Sequence, residues 1–284
     1  MRYVAPPRGA VQAAAWRRPP LSGWRAYAAW LEGEGWPAID DLNAACGADM
    51  RERFVAQTRE LLADGLHYEQ RIAERGLIAT RERNWHDLFN ALIWLRYGGL
   101  KQALNARQVA EIASVGAKLR SRAQCALTHF DEAGALVGVR DPDLLALWDA
   151  HDWHGLFWRR RQAWLDGSIE LVVFGHALLE HALSPDRLLV GKALAYRLDG
   201  GDRAALLRIR DRRRRGPARS AGAAPAAAVR STGLGAGAGR RRFLSQRTLL
   251  SPPARGPALP GGRAGVLSRG YALNLHVDAK SDDD

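Results

Sequence analysis

R-N-W-H-D-L-F-N-A-L-I-W-L, Arg83 to Leu95, sets two Asn, a His and an Asp among large apolar side chains. Taken as a helix over 84–97, it gathers Trp85, Leu88, Phe89, Leu92 and Leu95 on one face. Ile93, Trp94 and Tyr97 carry apolar character to the other sides, and a helix apolar nearly all round is a buried one. Burying polar groups is costly unless each finds a partner, so this helix predicts a central core element with a definite polar task.

Two accounts of the polar residues stand side by side. In the structural one, Asn84 is the N-cap and Asp87 the third helical residue, a variant capping box that satisfies free amides and puts a carboxylate on the positive helix end. His86 and Asn90 then bond neighbouring backbone. In the chemical one, His86 is a metal ligand or general base, Asp87 its orienter and Asn90 a hydrogen-bonding positioner. His176 and Glu180, four apart in F-G-H-A-L-L-E-H, lie on one helix face and add a nitrogen and a carboxylate to a metal set with His86. Asn84, Asp131 and Glu132 are the further candidates for binding a ligand; the bland reading of Asp131 and Glu132 is that they shape a turn.

Around the central helix the chain reads as mostly helical. Arg51–Gly65 is expected to be amphipathic helix, Gly98-Gly99 to stop the central helix, and Asn105–Ile112 to form a second helix with an Asn cap. C-A-L-T-H-F, D-E-A-G and A-L-V-G-V predict a β-hairpin over 126–139, with Gly134 at a positive φ. Asp141-Pro142 opens a helix through Trp148, and His151–Trp164 is an aromatic, Arg-rich one. Leu171–Phe174 is a buried strand, H-A-L-L-E-H-A-L a helix, and Leu188–Leu198 a last helix. The fold class is α+β, a mainly α-helical single domain over 1–204 with a small antiparallel β element, followed by a disordered C-terminal tail.

The net charge of +12 suggests nucleic acid or an anionic surface. Residues 1–200, however, hold 25 Lys+Arg against 24 Asp+Glu, a net of +1, so the remaining 17 against 6 put +11 on residues 201–284. The body is neutral, and Trp158-Arg159-Arg160-Arg161 reads first as a solvated helix face, with nucleic-acid binding a third reading after a ligand or metal site and a purely structural protein. Small ligands or a divalent metal are the expected partners, and no cofactor can be named. All ten Trp lie at or before Trp164, and the tail has too few large apolar residues to offset its ordering entropy. No apolar run reaches membrane-spanning length, and two cysteines without CxxC spacing fit a reducing cytoplasm.

N-W-H-D-L-F-N-A-L-I-W-L (84–95), A-L-N-A-R (103–107), F-D-E-A-G-A-L-V (130–137), D-W-H-G-L-F-W (152–158) and V-F-G-H-A-L-L-E (173–180) resemble a bacterial family known only as domain of unknown function 3025. The resemblance runs in order from about Tyr68 to Asp199. It implies no activity. Lys101 stands before Q-A-L-N-A-R much as a Lys does in the family, while Gly98-Gly99 replaces a Pro-containing turn. Beyond Leu206 the resemblance stops, and the Arg, Ala, Gly and Pro that follow are what GC-rich DNA gives out of frame. Asp211–Leu234 is compatible with a shifted frame that resembles the family's C-terminal part, which predicts a frameshift near 203–211 and an out-of-frame tail over 205–284. Codons that give no Trp across Leu234-Gly235 in the shifted frame sink that expectation.

Overall fold

The computed structural model describes residues 3–116 and 119–198, and the backbone of 271–275. The basic tail otherwise lies outside the described residues. In chain order the elements are α1 (Ala13–Arg17), α2 (Ala28–Leu31), α3 (Ile39–Ala44), β1 (Arg53–Ala56), α4 (Arg59–Leu62), α5 (Tyr68–Arg75), β2 (Leu77–Thr80) and α6 (Trp85–Val115). Then come α7 (Arg122–Ala133), β3 (Gly134–Val139), α8 (Pro142–Asp149), α9 (Gln162–Leu165), β4 (Ile169–Val173), α10 (His176–His181), β5 (Leu189–Arg197) and β6 (Tyr271–Leu275). The fold is mixed α+β and mainly helical. The described residues divide into two compact units, one of residues up to 134 with 173–191 and 273–275, the other built on 135–172 with 192–198 and 271–272.

The first unit is organised by α6. Trp85, Leu88, Phe89, Leu92, Ile93 and Trp94 are all buried, as an all-round apolar helix requires. Its 31 residues are two helical segments joined at a kink immediately before Gly98-Gly99, where the sequence predicts a stop, and helix resumes beyond it. Only Tyr97 departs from helical angles (φ −126°, ψ 34°). Helix on both sides of the kink packs against α5 and α7, and that packing outweighs the roughly 1 kcal/mol each glycine costs a helix interior. Asn105 is therefore a mid-helix residue and caps nothing; its amide donates to Glu69 instead.

The expected helix over 51–65 is a strand and a four-residue helix. β1 lies parallel to β2, with Phe54 beside Ile78. The Asn43 side chain brackets Phe54, accepting from its N–H at 2.8 Å and donating to its carbonyl at 2.9 Å. Those bonds and strand pairing override the helical spacing of the charges.

The hairpin over 126–139 is half right. β3 is a strand, but Cys125–Ala133 belongs to α7, which Ser121 caps by accepting from the Gln124 N–H at 3.0 Å. Asp131 and Glu132 thus lie in the last turn of a helix. Gly134 has φ −81°, so a left-handed turn is not its reason. A Cβ there would lie 2.2 Å from the Phe130 carbonyl oxygen, and the helix passes directly into the strand only because none is present.

The four-stranded sheet has the order β4-β3-β5-β6. Arg140 N–H donates to Ser168 at 2.9 Å, and Leu198 N–H to Val139 at 2.7 Å. The predicted last helix over 188–198 is β5: its Leu and Ala favour helix, but buried Leu189, Gly191, Ala193 and Ala195 alternate as a strand face. Asp141 caps α8 as expected. The aromatic helix over 151–164 is instead one π turn at Gly155–Arg159, closed by Arg160 N–H to Gly155 at 2.9 Å, and the short α9.

Candidate metal centre

Three segments of the first unit bring their side chains to one point. The first turn of α6 supplies His86, the last turn of α7 supplies Asp131 and Glu132, and α10 supplies His176 and Glu180. Gly175 makes the close approach possible: a Cβ on it would sit 2.5 Å from the Glu132 carbonyl oxygen and from the Gly134 nitrogen. The start of α10 is thereby pressed against the end of α7, which sets His176 beside Asp131 and Glu132.

His86 Nε2 and His176 Nε2 face each other at 3.0 Å. Glu132 Oε2 stands 3.5 Å from His176 Nε2 and 3.8 Å from His86 Nε2. These are the three groups among the described residues whose donor atoms gather closely enough to hold an ion. Ligands bound at about 2.1 Å and separated by 90–110° lie roughly 3.0–3.4 Å apart, so the spacing needs only a small movement of Glu132. Glu132 is 41% exposed, which leaves the point reachable from solvent, while His176 is buried.

The far nitrogen of His86 is held by Glu180, with Nδ1 to Oε2 at 3.0 Å. A carboxylate there fixes the Nδ1–H tautomer and turns the Nε2 lone pair inward. Burial pushes the His86 pKa down, but the hydrogen bond to Glu180 and the charges of Glu132, Glu180 and Asp87 outweigh it and leave the pKa raised. His176 goes the other way: burial drives it down to about 3, against the pull of Asp131. Burial also raises Glu132. At neutral pH His176 is therefore an uncharged imidazole, the form that ligates.

The other residues singled out in the sequence lie around this point. Asn84 Oδ1 accepts the Asp87 N–H at 3.1 Å, a helix cap. Asp87 does not touch His86; it accepts from Arg81, at 2.5 Å from the backbone N–H and at 3.1 and 2.7 Å from the guanidinium. The role of orienter to His86, assigned to Asp87 in the sequence, falls to Glu180, and the carboxylate beside the two Nε2 atoms is Glu132. Asn90 donates to the Tyr68 hydroxyl at 2.9 Å, and its Oδ1 is buried without a partner. Asp131 pairs with Lys101, at 2.6 and 2.8 Å.

A family model described as "Protein of unknown function (DUF3025)" matches residues 52–212, more than half the chain. The chain belongs to this family. The span of the DUF3025 match contains every residue of the cluster. No curated protein and no solved structure matches the chain. For this DUF3025 member the geometry of the cluster is therefore the guide to its chemistry.

Lys101 is the residue that sequence reasoning left without a role. Its signal is a stripe visible once α6 is read through the glycines: Asn90, Trp94, Tyr97, Lys101, Asn105, Gln108 and Ile112 recur every three or four residues. The stripe marks the face turned to α5 and α7, where Asn90 meets Tyr68, Asn105 meets Glu69, Gln108 meets Thr128 and Lys101 meets Asp131.

Proposed function

We propose that His86, Glu132 and His176 hold one divalent transition-metal ion and that the protein carries out metal-assisted hydrolysis. The observation that carries this reading is the 3.0 Å approach of two Nε2 atoms with a carboxylate on the third side. Two imidazole lone pairs do not face each other at that distance unless a proton or a cation lies between them. A proton there gives the rival, purely structural reading, a His–His hydrogen bond that fixes packing.

The metal reading is supported by the half-buried Glu132, whose carboxylate keeps part of its surface open to solvent as a packing role does not need. Two histidines and one carboxylate leave coordination positions open, as catalytic zinc and iron sites do. An ion held by these three residues would supply Lewis-acid activation of water. Glu180 would orient His86, and neutral His176 would offer a lone pair without first losing a proton. Two free cysteines, Cys46 and Cys125, are consistent with a reducing cytoplasm in a bacterial cell. Among the described residues no helix is long and apolar enough to cross a membrane.

The test is metal content and affinity of the purified full chain. After chelation and dialysis, titration with zinc or cobalt is expected to show one site per chain, lost in His176→Ala. A chain that takes up no ion, with the two histidines sharing a proton, overturns the metal reading.

A further inference from the structure

Lys101 is 4% exposed, and its ammonium lies in the first unit between the Asp131 carboxylate and the Trp94 ring, 5.4 Å from the ring centre. An isolated buried ammonium is costly, and pairing it with a carboxylate at best repays the burial. Such a pair is weak evidence for a stabilising role. What it does accomplish is to hold an ionised carboxylate behind His176.

Among the described residues, buried His176 Nδ1 makes no hydrogen bond of normal geometry, although the Asp131 backbone carbonyl is close enough to favour its protonated form. Asp131 Oδ2 stands 3.9 Å from it, about 1 Å beyond hydrogen-bond reach. His86 has the completed version of this arrangement, with Glu180 at 3.0 Å behind its Nδ1. Both histidines thus turn Nε2 to the common point and Nδ1 to a carboxylate, and only the carboxylate of Glu180 is at hydrogen-bond distance.

We propose that Asp131, held in place by Lys101, is the positioning residue for His176: it accepts the Nδ1–H when His176 turns by that 1 Å to ligate. The proposal rests on the metal reading above. The division of labour within F-D-E is then specific. Glu132 faces the ion and Asp131 faces the back of a ligand, while the Lys101 charge keeps the second carboxylate from making the centre more negative. A metal-bound imidazole commonly has such an outer acceptor, and removing it costs roughly 10–100-fold in affinity.

The experiment uses the full chain labelled with ¹⁵N-histidine, metal-free and zinc-loaded, together with Asp131→Ala and Lys101→Met. Expected are an Nδ1–H tautomer of His176 in the wild type and a tenfold or greater loss of zinc affinity in Asp131→Ala. Lys101→Met is expected to lose less, since the acceptor remains. Displacement of Glu132 alone would lower affinity without changing which nitrogen of His176 carries the proton, so the nitrogen shifts separate positioning from general damage. A proton on Nε2 of metal-free His176, or wild-type zinc affinity in a folded Asp131→Ala, overturns the proposal. Should Asp131→Ala not fold, the wild-type tautomer decides. Failure of the wild type to bind zinc refutes the metal reading and leaves the tautomer measurement in force.

Discussion

W-H-D-L-F-N (85–90) and W-H-G-L-F-W (153–158) share the pattern W-H-x-L-F and belong to different units. In each the Leu is fully packed: Leu88 is 4% exposed and Leu156 0%. In each a side chain just upstream caps the turn, Asn84 for the first and Asp152 for the second. The histidines differ completely. His86 meets His176, Glu180 and Glu132, whereas His154 stacks on Trp158, itself 63% exposed. Local sequence builds the turn in both places, and only the segments brought against it make one histidine a candidate ligand. α7 and α10 supply those partners to His86.

The largest effect expected separates the two histidines outright. His86→Ala or His176→Ala removes one of three donors and is expected to weaken zinc binding by at least ~100-fold, given that loss of an outer partner alone costs roughly 10–100-fold. His154→Ala is expected to leave zinc stoichiometry and affinity unchanged. Calorimetric titration of the three variants checks this, and equal losses in all three would erase the contrast. Glu180→Gln sharpens it. The glutamine keeps the size of the side chain and removes the charge that orients His86, so a drop of roughly 10–100-fold in zinc affinity is expected with the fold intact.

How much of this was legible follows from range. The first turn of α6 was readable because Asn84, Asp87 and the apolar spacing all act within one helix. The triad was only half readable, since the 46 residues from His86 to Glu132 and the 44 from there to His176 carry no periodic sign of their meeting. His86 and His176 could be picked as residue types. Assigning Glu180 as their third ligand followed H-x-x-x-E spacing on one helix, yet Glu180 binds the outer nitrogen and Glu132 comes from another element. β5 and β1 were misread for a related reason: strand pairing is made with distant residues, and Leu-, Ala- and charge-rich runs default to helix without it. Gly98-Gly99 does sit at a break, the kink at Tyr97, but helix resumes past it because packing on α5 and α7 outweighs a local breaker.

Burial of His176 makes a pH prediction of intermediate size. Its pKa falls from an ordinary 6.5 to about 3 on folding. Between those values the unfolded chain takes up a proton that the folded chain does not, so stability is full above about 6.5 and falls on acidification. His86, whose pKa is raised, contributes the opposite way, with stability present below 6.5 and lost as pH rises through its folded value. Below about pH 6 that contribution is nearly constant. His181, also lowered by burial, adds loss of the same sign, and the raised Glu132 and Glu69 act oppositely. The difference between wild type and His176→Gln therefore carries the prediction. Urea unfolding of chelated protein at pH 6 and pH 5 is expected to show a loss of about 1 kcal/mol, largely absent in His176→Gln. A slope that persists unchanged in His176→Gln would overturn the assignment of acid sensitivity to this histidine.

The smallest effects test what the two W-H turns have in common. Asn84 Oδ1 accepts one amide, that of Asp87, at 3.1 Å. Asp152 Oδ1 accepts the Gly155 amide at 2.7 Å, and its other oxygen pairs with Arg159. Loss of a cap costs typically about 1 kcal/mol. An exposed ion pair adds at most about 1 kcal/mol more. Arg159 is 59% exposed, so Asp152→Ala and Asn84→Ala are expected to destabilise by similar amounts, near 1 kcal/mol in urea unfolding. They should part on zinc. Asn84→Ala frays the turn that carries His86 and is expected to weaken zinc binding severalfold, whereas Asp152→Ala frays a turn whose histidine faces only Trp158. Equal stability losses with unequal zinc losses would show that the cap matters to the metal centre through the residue it carries, and equal zinc losses would place His154 in the chemistry after all.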